Sequence, residues 1–152
     1  MPTPVFNDVM KQALELAAKA SQQGDVPVGA IVLNSQGEIV GQGFNTREID
    51  NDPMNHAEVV ALREAASALG SWRLDDHTLV VTLEPCTMCA GAAVQARIGR
   101  IVFGAFDEKA GAVGSLWDVV RDRRLPHRPE VISGVLADEC GAILSEFFKS
   151  HR

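Results

Sequence analysis

The apolar residues Phe6, Val9, Met10, Ala13, Leu14, Ala17 and Ala20 recur at intervals of three and four, the period of a helix with one buried face. Pro4, near Thr3 or Asn7, suits the opening of that helix, and Gly24 suits its end. Residues 28–33 are a short apolar run, 34–37 a turn and 38–44 a partner run, which together predict a hairpin. A polar loop over 46–55 leads to a second helix from His56, whose apolar positions Ala57, Val59, Val60, Leu62, Ala65, Ala66 and Leu69 end at Gly70. The β-branched stretch 78–83 predicts a buried strand, and 86–97 a helix stopped at Gly99. A strand over 100–106, a Gly-rich loop over 107–114 and a short helix over 115–123 come next. A loop over 125–129, a strand over 130–135 and a closing helix over 137–150 complete the order. Five helices alternating with five strands predict a three-layer α/β/α domain around a mixed five-stranded sheet.

Length and composition leave that picture intact. The 152 residues suit a single domain, 1–152, with a core large enough to need no disulfide staples. Hydrophobic residues at 46% and charged residues at 22% are ordinary for a globular chain. The first 24 residues lack a basic leader region and show helical spacing, so neither a signal peptide nor a membrane span is expected, and the expected location is the cytoplasm. Three cysteines, two of them closely spaced and Cys140 alone in the last helix, fit a reducing compartment and a buried Cys140.

Charge changes the picture more. The net charge of −6 argues weakly against a nucleic-acid partner, but the deficit is uneven. Residues 1–96 hold 5 Lys and Arg against 12 Asp and Glu, whereas residues 97–152 hold 9 against 8. A polyanion would therefore meet the second part, where Arg97, Arg100, Arg121, Arg123, Arg124, His127, Arg128 and Lys149 cluster. Solvated surface charge is the competing reading for each of them.

The candidate chemistry lies in Thr82-Leu83-Glu84-Pro85-Cys86-Thr87-Met88-Cys89 and in His56-Ala57-Glu58. Cys86 and Cys89 at i and i+3 on a first helical turn put two sulfurs on one face, and His56 is the natural third ligand of a zinc ion. Three protein ligands leave a fourth position for water, the arrangement of catalytic rather than structural zinc. Glu58 then stands beside the metal as a proton carrier. A bare C-x-x-C is equally a redox pair or half of a structural metal site. The combination H-x-E…P-C-x-x-C is the recorded signature of zinc nucleobase deaminases, and the class assignment rests on that recorded pattern.

Further stretches extend the pattern: residues 25–30 (DVPVGA), 55–58 (NHAE), 82–92 (TLEPCTMCAGA), 97–100 (RIGR), 111–118 (GAVGSLWD), His127-Arg128, 134–140 (GVLADEC) and Phe147-Phe148. Over nearly the whole chain these resemble the bacterial tRNA-specific adenosine deaminases, which share the deaminase signature with cytidine and guanine deaminases. The resemblance implies a cytidine-deaminase-like fold and a homodimer. It also implies one zinc per subunit on His56, Cys86 and Cys89, with catalysis by Glu58 and a zinc-activated water. The implied reaction turns adenosine into inosine at the wobble position of tRNA, chiefly an arginine tRNA, with the anticodon stem-loop as partner. By the same resemblance Asn45 would hydrogen-bond the flipped base and the backbone near Ala57 would help seat it. Asp107 would contact the RNA beside that base, and Phe148 with Lys149 would line the groove.

Competing readings remain for these residues. Asn45 suits a plain turn and Asp107 a cap. Phe147 and Phe148 point about 100° apart on a helix, so at most one belongs to the core. His77 and His127 are outside the three-ligand scheme. Deamination of a free base such as guanine or cytosine is the alternative activity, and a zinc-stabilised RNA-binding module without turnover is the non-enzymatic one.

Overall fold

The computed structural model describes residues 5–151. Its elements are α1 (Asn7–Gln22), β1 (Gly29–Leu33), β2 (Ile39–Phe44), α2 (Ala57–Leu69), β3 (Thr78–Leu83), α3 (Thr87–Gln95), β4 (Arg100–Ala105), β5 (Glu130–Ile132) and α4 (Ala137–Ser150). Thr3 and Pro4, expected to open the first helix, lie outside the described residues.

The strands form one sheet in the order β2-β1-β3-β4-β5. β1 runs antiparallel to both β2 and β3, while β3, β4 and β5 are mutually parallel, so the sheet is mixed as expected. Strand alternation divides the core into two layers. Ala30, Val32, Leu79, Val81, Ile101 and Phe103 face α2 and α3. Ile31, Val80 and Val102 face the other way, towards α1 and Cys140 of α4. The three-layer α/β/α architecture follows from strands buried on both faces.

Two glycines set how closely α2 lies on the sheet. A Cβ at Gly41 would fall 2.3 Å from the Ala61 carbonyl oxygen, and one at Gly43 would fall 2.6 Å from that of Ala57. The backbones therefore touch, and the first turn of α2 is held against the end of β2.

One element differs from expectation. The helix expected over 115–123 is absent; this segment is a series of turns with an isolated bridge between Val113 and Asp118. Its backbone donors are committed elsewhere. Val113 and Ser115 donate to the Glu84 carboxylate, and Leu116 and Trp117 both donate to the Gly111 carbonyl. The Val119 N–H, which would make the first rung of a helix beginning at Ser115, likewise donates elsewhere, to the Ala112 carbonyl. Two boundaries also move: β5 ends at Ile132 rather than 135, and α3 ends at Gln95 rather than 97, followed by a left-handed turn at Arg97 (φ 62°).

Candidate active site

Strand directions decide where the candidate residues meet. Because β2, β3 and β4 point the same way and β1 points opposite, the ends of the first three and the start of β1 share one edge of the sheet. That edge is where α/β sheets bind ligands. Val26 and Val28 precede β1, Asn45 and Arg47 follow β2, Leu83, Glu84 and Cys86 close β3, and Asp107 and Ala110 follow β4. With His56, Ala57 and Glu58 they line a cavity of about 150 Å3.

His56 and Cys86 are the capping residues immediately before α2 and α3, both with extended backbone. Neither side chain caps its own helix. Both turn to a common point, where Cys89 joins from the first turn of α3. His56 Nδ1 lies 3.6 Å from Cys86 Sγ and 3.5 Å from Cys89 Sγ, and one ligand atom from each residue falls within 4.8 Å of the others. Two donors on a zinc tetrahedron, with bonds near 2.3 Å to sulfur and 2.0 Å to nitrogen, stand about 3.5 Å apart. The spacing and the mixed thiolate and imidazole chemistry both fit zinc. Among the described residues no other group of three or more His, Cys, Asp and Glu side chains meets this spacing.

Electrostatics within the cluster divide its members: only Cys86 is moved towards the deprotonated form that a metal ligand takes. The Cys89 side chain beside it, opposed by burial and helped by His56 and the Cys89 backbone N–H, brings the Cys86 thiol down to about 3. Cys89 is pushed upward, first by Cys86 and then by burial. The Cys86 sulfur in turn raises His56. The helix N-termini add partial positive charge that favours thiolate. Glu58, in the first turn of α2, is 4% exposed, and burial pushes its carboxyl up to about 7. A carboxyl poised near neutrality both accepts and returns a proton readily.

The remaining candidates divide. Asn45 (7% exposed) and fully buried Ala57 line the cavity. Asn45 also makes the turn contact that competed with its binding role, accepting from the Arg47 N–H at 3.3 Å. Asp107 does both as well, lining the cavity while its carboxylate accepts from the N–H groups of Lys109 and Ala110. Phe148 and Lys149 are exposed on α4 and do not line the cavity, whereas Phe147 is buried and stacks on His151. His77 and His127 spend a ring nitrogen on the carbonyls of Asp75 and Ile98. Cys140 is fully buried, as its position predicted.

Two charged cavity residues, Arg47 and Glu84, have no part assigned by sequence alone. Arg47 stands at the rim, its ion pair with Glu48 stretched to 4.0 Å. Glu84 directly follows β3, a strand of apolar residues and Thr, and is 2% exposed. Burial pushes its carboxyl up. The Ser115 hydroxyl and the backbone N–H groups of Asp107, Ser115 and Val113 more than reverse this and hold it below the usual carboxylate range. A charged residue at the end of a buried strand is the signal the sequence offers.

Comparison with known proteins accords with this geometry. The family described as cytidine and deoxycytidylate deaminase zinc-binding region matches residues 6–105. The tRNA-specific adenosine deaminase of Bacillus subtilis is 48% identical over 143 residues, which cover 94% of this chain and 88% of that protein. A solved structure from studies of A-to-I editing by tRNA:A34 deaminases at the wobble position of transfer RNA superposes with a TM-score of 0.85. It is 41% identical, covering 89% of this chain and 97% of its own. A guanine deaminase from Nitrosomonas europaea is more distant, 25% identical with a TM-score of 0.76 over 91% of this chain and 81% of its own. This chain belongs to the zinc-binding cytidine and deoxycytidylate deaminase family and, within it, to the tRNA-specific adenosine deaminases.

Proposed function

We propose that one domain, residues 1–152, hydrolytically deaminates adenosine to inosine at the wobble position of tRNA, chiefly an arginine tRNA. It does so in the cytoplasm as a homodimer with one zinc ion per subunit. The observation that carries the reading is the His56, Cys86 and Cys89 cluster beside buried Glu58 in a cavity of about 150 Å3, the scale of one nucleobase. The names of the B. subtilis relative and of the solved tRNA:A34 deaminases support tRNA adenosine as substrate. Among the described residues no helix is long and apolar enough to cross a membrane.

His56 Nδ1, Cys86 Sγ and Cys89 Sγ would hold the zinc. When bound, zinc supplies Lewis acidity and lowers the pKa of water towards neutrality. The chain's own residues do the rest. Glu58 takes one proton from the attacking water and delivers it to purine nitrogen 1 as carbon 6 is attacked, then takes the proton of the new carbon-6 hydroxyl and passes it to the amine as the C–N bond breaks, so adenosine and water give inosine and ammonia. Asn45 hydrogen-bonds the base and the backbone at Ala57 seats it. Asp107 contacts the RNA beside the flipped nucleotide, and Phe148 with Lys149 extends the groove outside the cavity. An anticodon loop presents its base without the unpairing cost of a duplex.

The direct test is incubation of the zinc-loaded protein with an arginine anticodon stem-loop bearing ACG, followed by sequencing for inosine. Conversion supports the reading. Ammonia release from free guanine or cytosine, with none from the stem-loop, would replace it by free-base deamination.

A further inference from the structure

The Glu84 carboxylate collects four donors, all from the loop over residues 107–115. One oxygen accepts the Asp107 N–H at 3.0 Å and the Ser115 hydroxyl; the other accepts the N–H groups of Val113 and Ser115, each at 3.0 Å. Gly111 permits this approach, since a Cβ there would fall 2.4 Å from the Glu84 carboxyl carbon. The loop has no regular ladder of its own, so these bonds and the turns they enforce fix its path. It carries Asp107 and Ala110, two of the residues that wall the base cavity.

We propose that Glu84 is a positioning residue for the substrate: from inside the core it fixes the Asp107 wall of the cavity, and so sets how tightly the flipped nucleotide is held. This rests on the function proposed above. A buried carboxylate is costly unless its oxygens are paired, and here every partner comes from the loop that carries Asp107. The carboxylate reads that loop donor by donor. A glutamine at 84 cannot repeat the pattern. If its NH2 faces Val113 and Ser115, two N–H groups lose their acceptor. If it faces the other way, the Ser115 hydroxyl can turn to accept, and only the Asp107 N–H is stranded. The second orientation leaves fewer donors unpaired, so Glu84→Gln loosens Asp107 in particular.

The test is steady-state deamination of the ACG stem-loop by the zinc-loaded full chain. Glu84→Gln is expected to raise KM roughly tenfold, the loss of about one buried hydrogen bond. The kcat should stay within about twofold and zinc should remain bound, because neither Glu58 nor a proposed zinc ligand moves. In an Asp107→Ala background the same change should add little, because both act through one wall. Ser115→Ala, which removes only the hydroxyl bond, should raise KM by a smaller factor and serves if Glu84→Gln does not fold. An unchanged KM in either variant, or independent multiplication of the Glu84 and Asp107 effects, overturns the inference. A wild-type chain that makes inosine while its variants keep the wild-type KM sinks only this inference. A wild-type chain that makes no inosine sinks the proposed function and this inference with it.

Discussion

His56 and Cys86 are structural counterparts: each is the last extended residue before a helix, and their ligand atoms meet 3.6 Å apart although 30 residues separate them. Two helix starts thus converge on one point. Removing either side chain leaves two donors, too few for a catalytic zinc site. His56→Ala and Cys86→Ala are each expected to lose bound zinc together with activity, measurable by elemental analysis of the purified variants. A variant that keeps stoichiometric zinc would move the ligand set elsewhere.

Glu58 stands beside that point without belonging to the ligand group. Glu58→Gln should therefore retain zinc and the fold while turnover falls by at least about 10²–10⁴-fold, the contribution of a positioned proton carrier. Single-turnover deamination and metal content on the same sample separate this from the two ligand variants. Undiminished activity would hand the proton transfer to another group.

Gly43 seats the start of α2 against the sheet. Gly43→Ala would press a methyl against the Ala57 carbonyl and the Val60 side chain, at 2.6 and 2.8 Å. Overpacking of this kind costs about 1–3 kcal/mol, which denaturant unfolding would register. Because the strained turn also carries Glu58, kcat should fall by more than the loss of folded protein explains.

The basic residues of the second part of the chain separate into two sets. Arg100, Arg121 and Arg124 are paired with Glu130, Asp118 and Asp122. Among the described residues Arg123 and Arg128 make no ion pair; Arg128 instead donates to the Arg123 carbonyl. Replacing Arg123 or Arg128 by Ala should weaken stem-loop binding and lower the slope of log affinity against log salt by about 0.7–0.9 for each phosphate no longer neutralised. An unchanged slope would return them to plain surface charge.

Much of this is legible in the chain because it depends on local spacing. Val80, Val102 and their neighbours declare strands through unbroken apolar runs. The i, i+3 pair Cys86 and Cys89 declares a shared face, and adjacent Phe147 and Phe148 declare that only one enters the core. The 115–123 segment misleads because one of the partners that fixes its path is not local. The carboxylate that takes the Ser115 N–H lies 31 residues earlier, on another element. Glu84 escapes a sequence reading for the same reason: its work is done on a loop that follows the next helix and strand. Asp25 is a parallel case, 1% exposed and accepting from the N–H groups of Glu48 and Ile49. Both are visible in the sequence as acids, but what each one binds is set by tertiary structure.

The close approach of β2 and α2 at their glycines also bears on metal retention. Cys86 and Cys89 share the start of one short helix, whereas His56 reaches them from the start of α2, whose seat on the sheet is set at Gly41 and Gly43. How firmly a metal is kept thus reports on that distant seat as well as on the three side chains that would hold it.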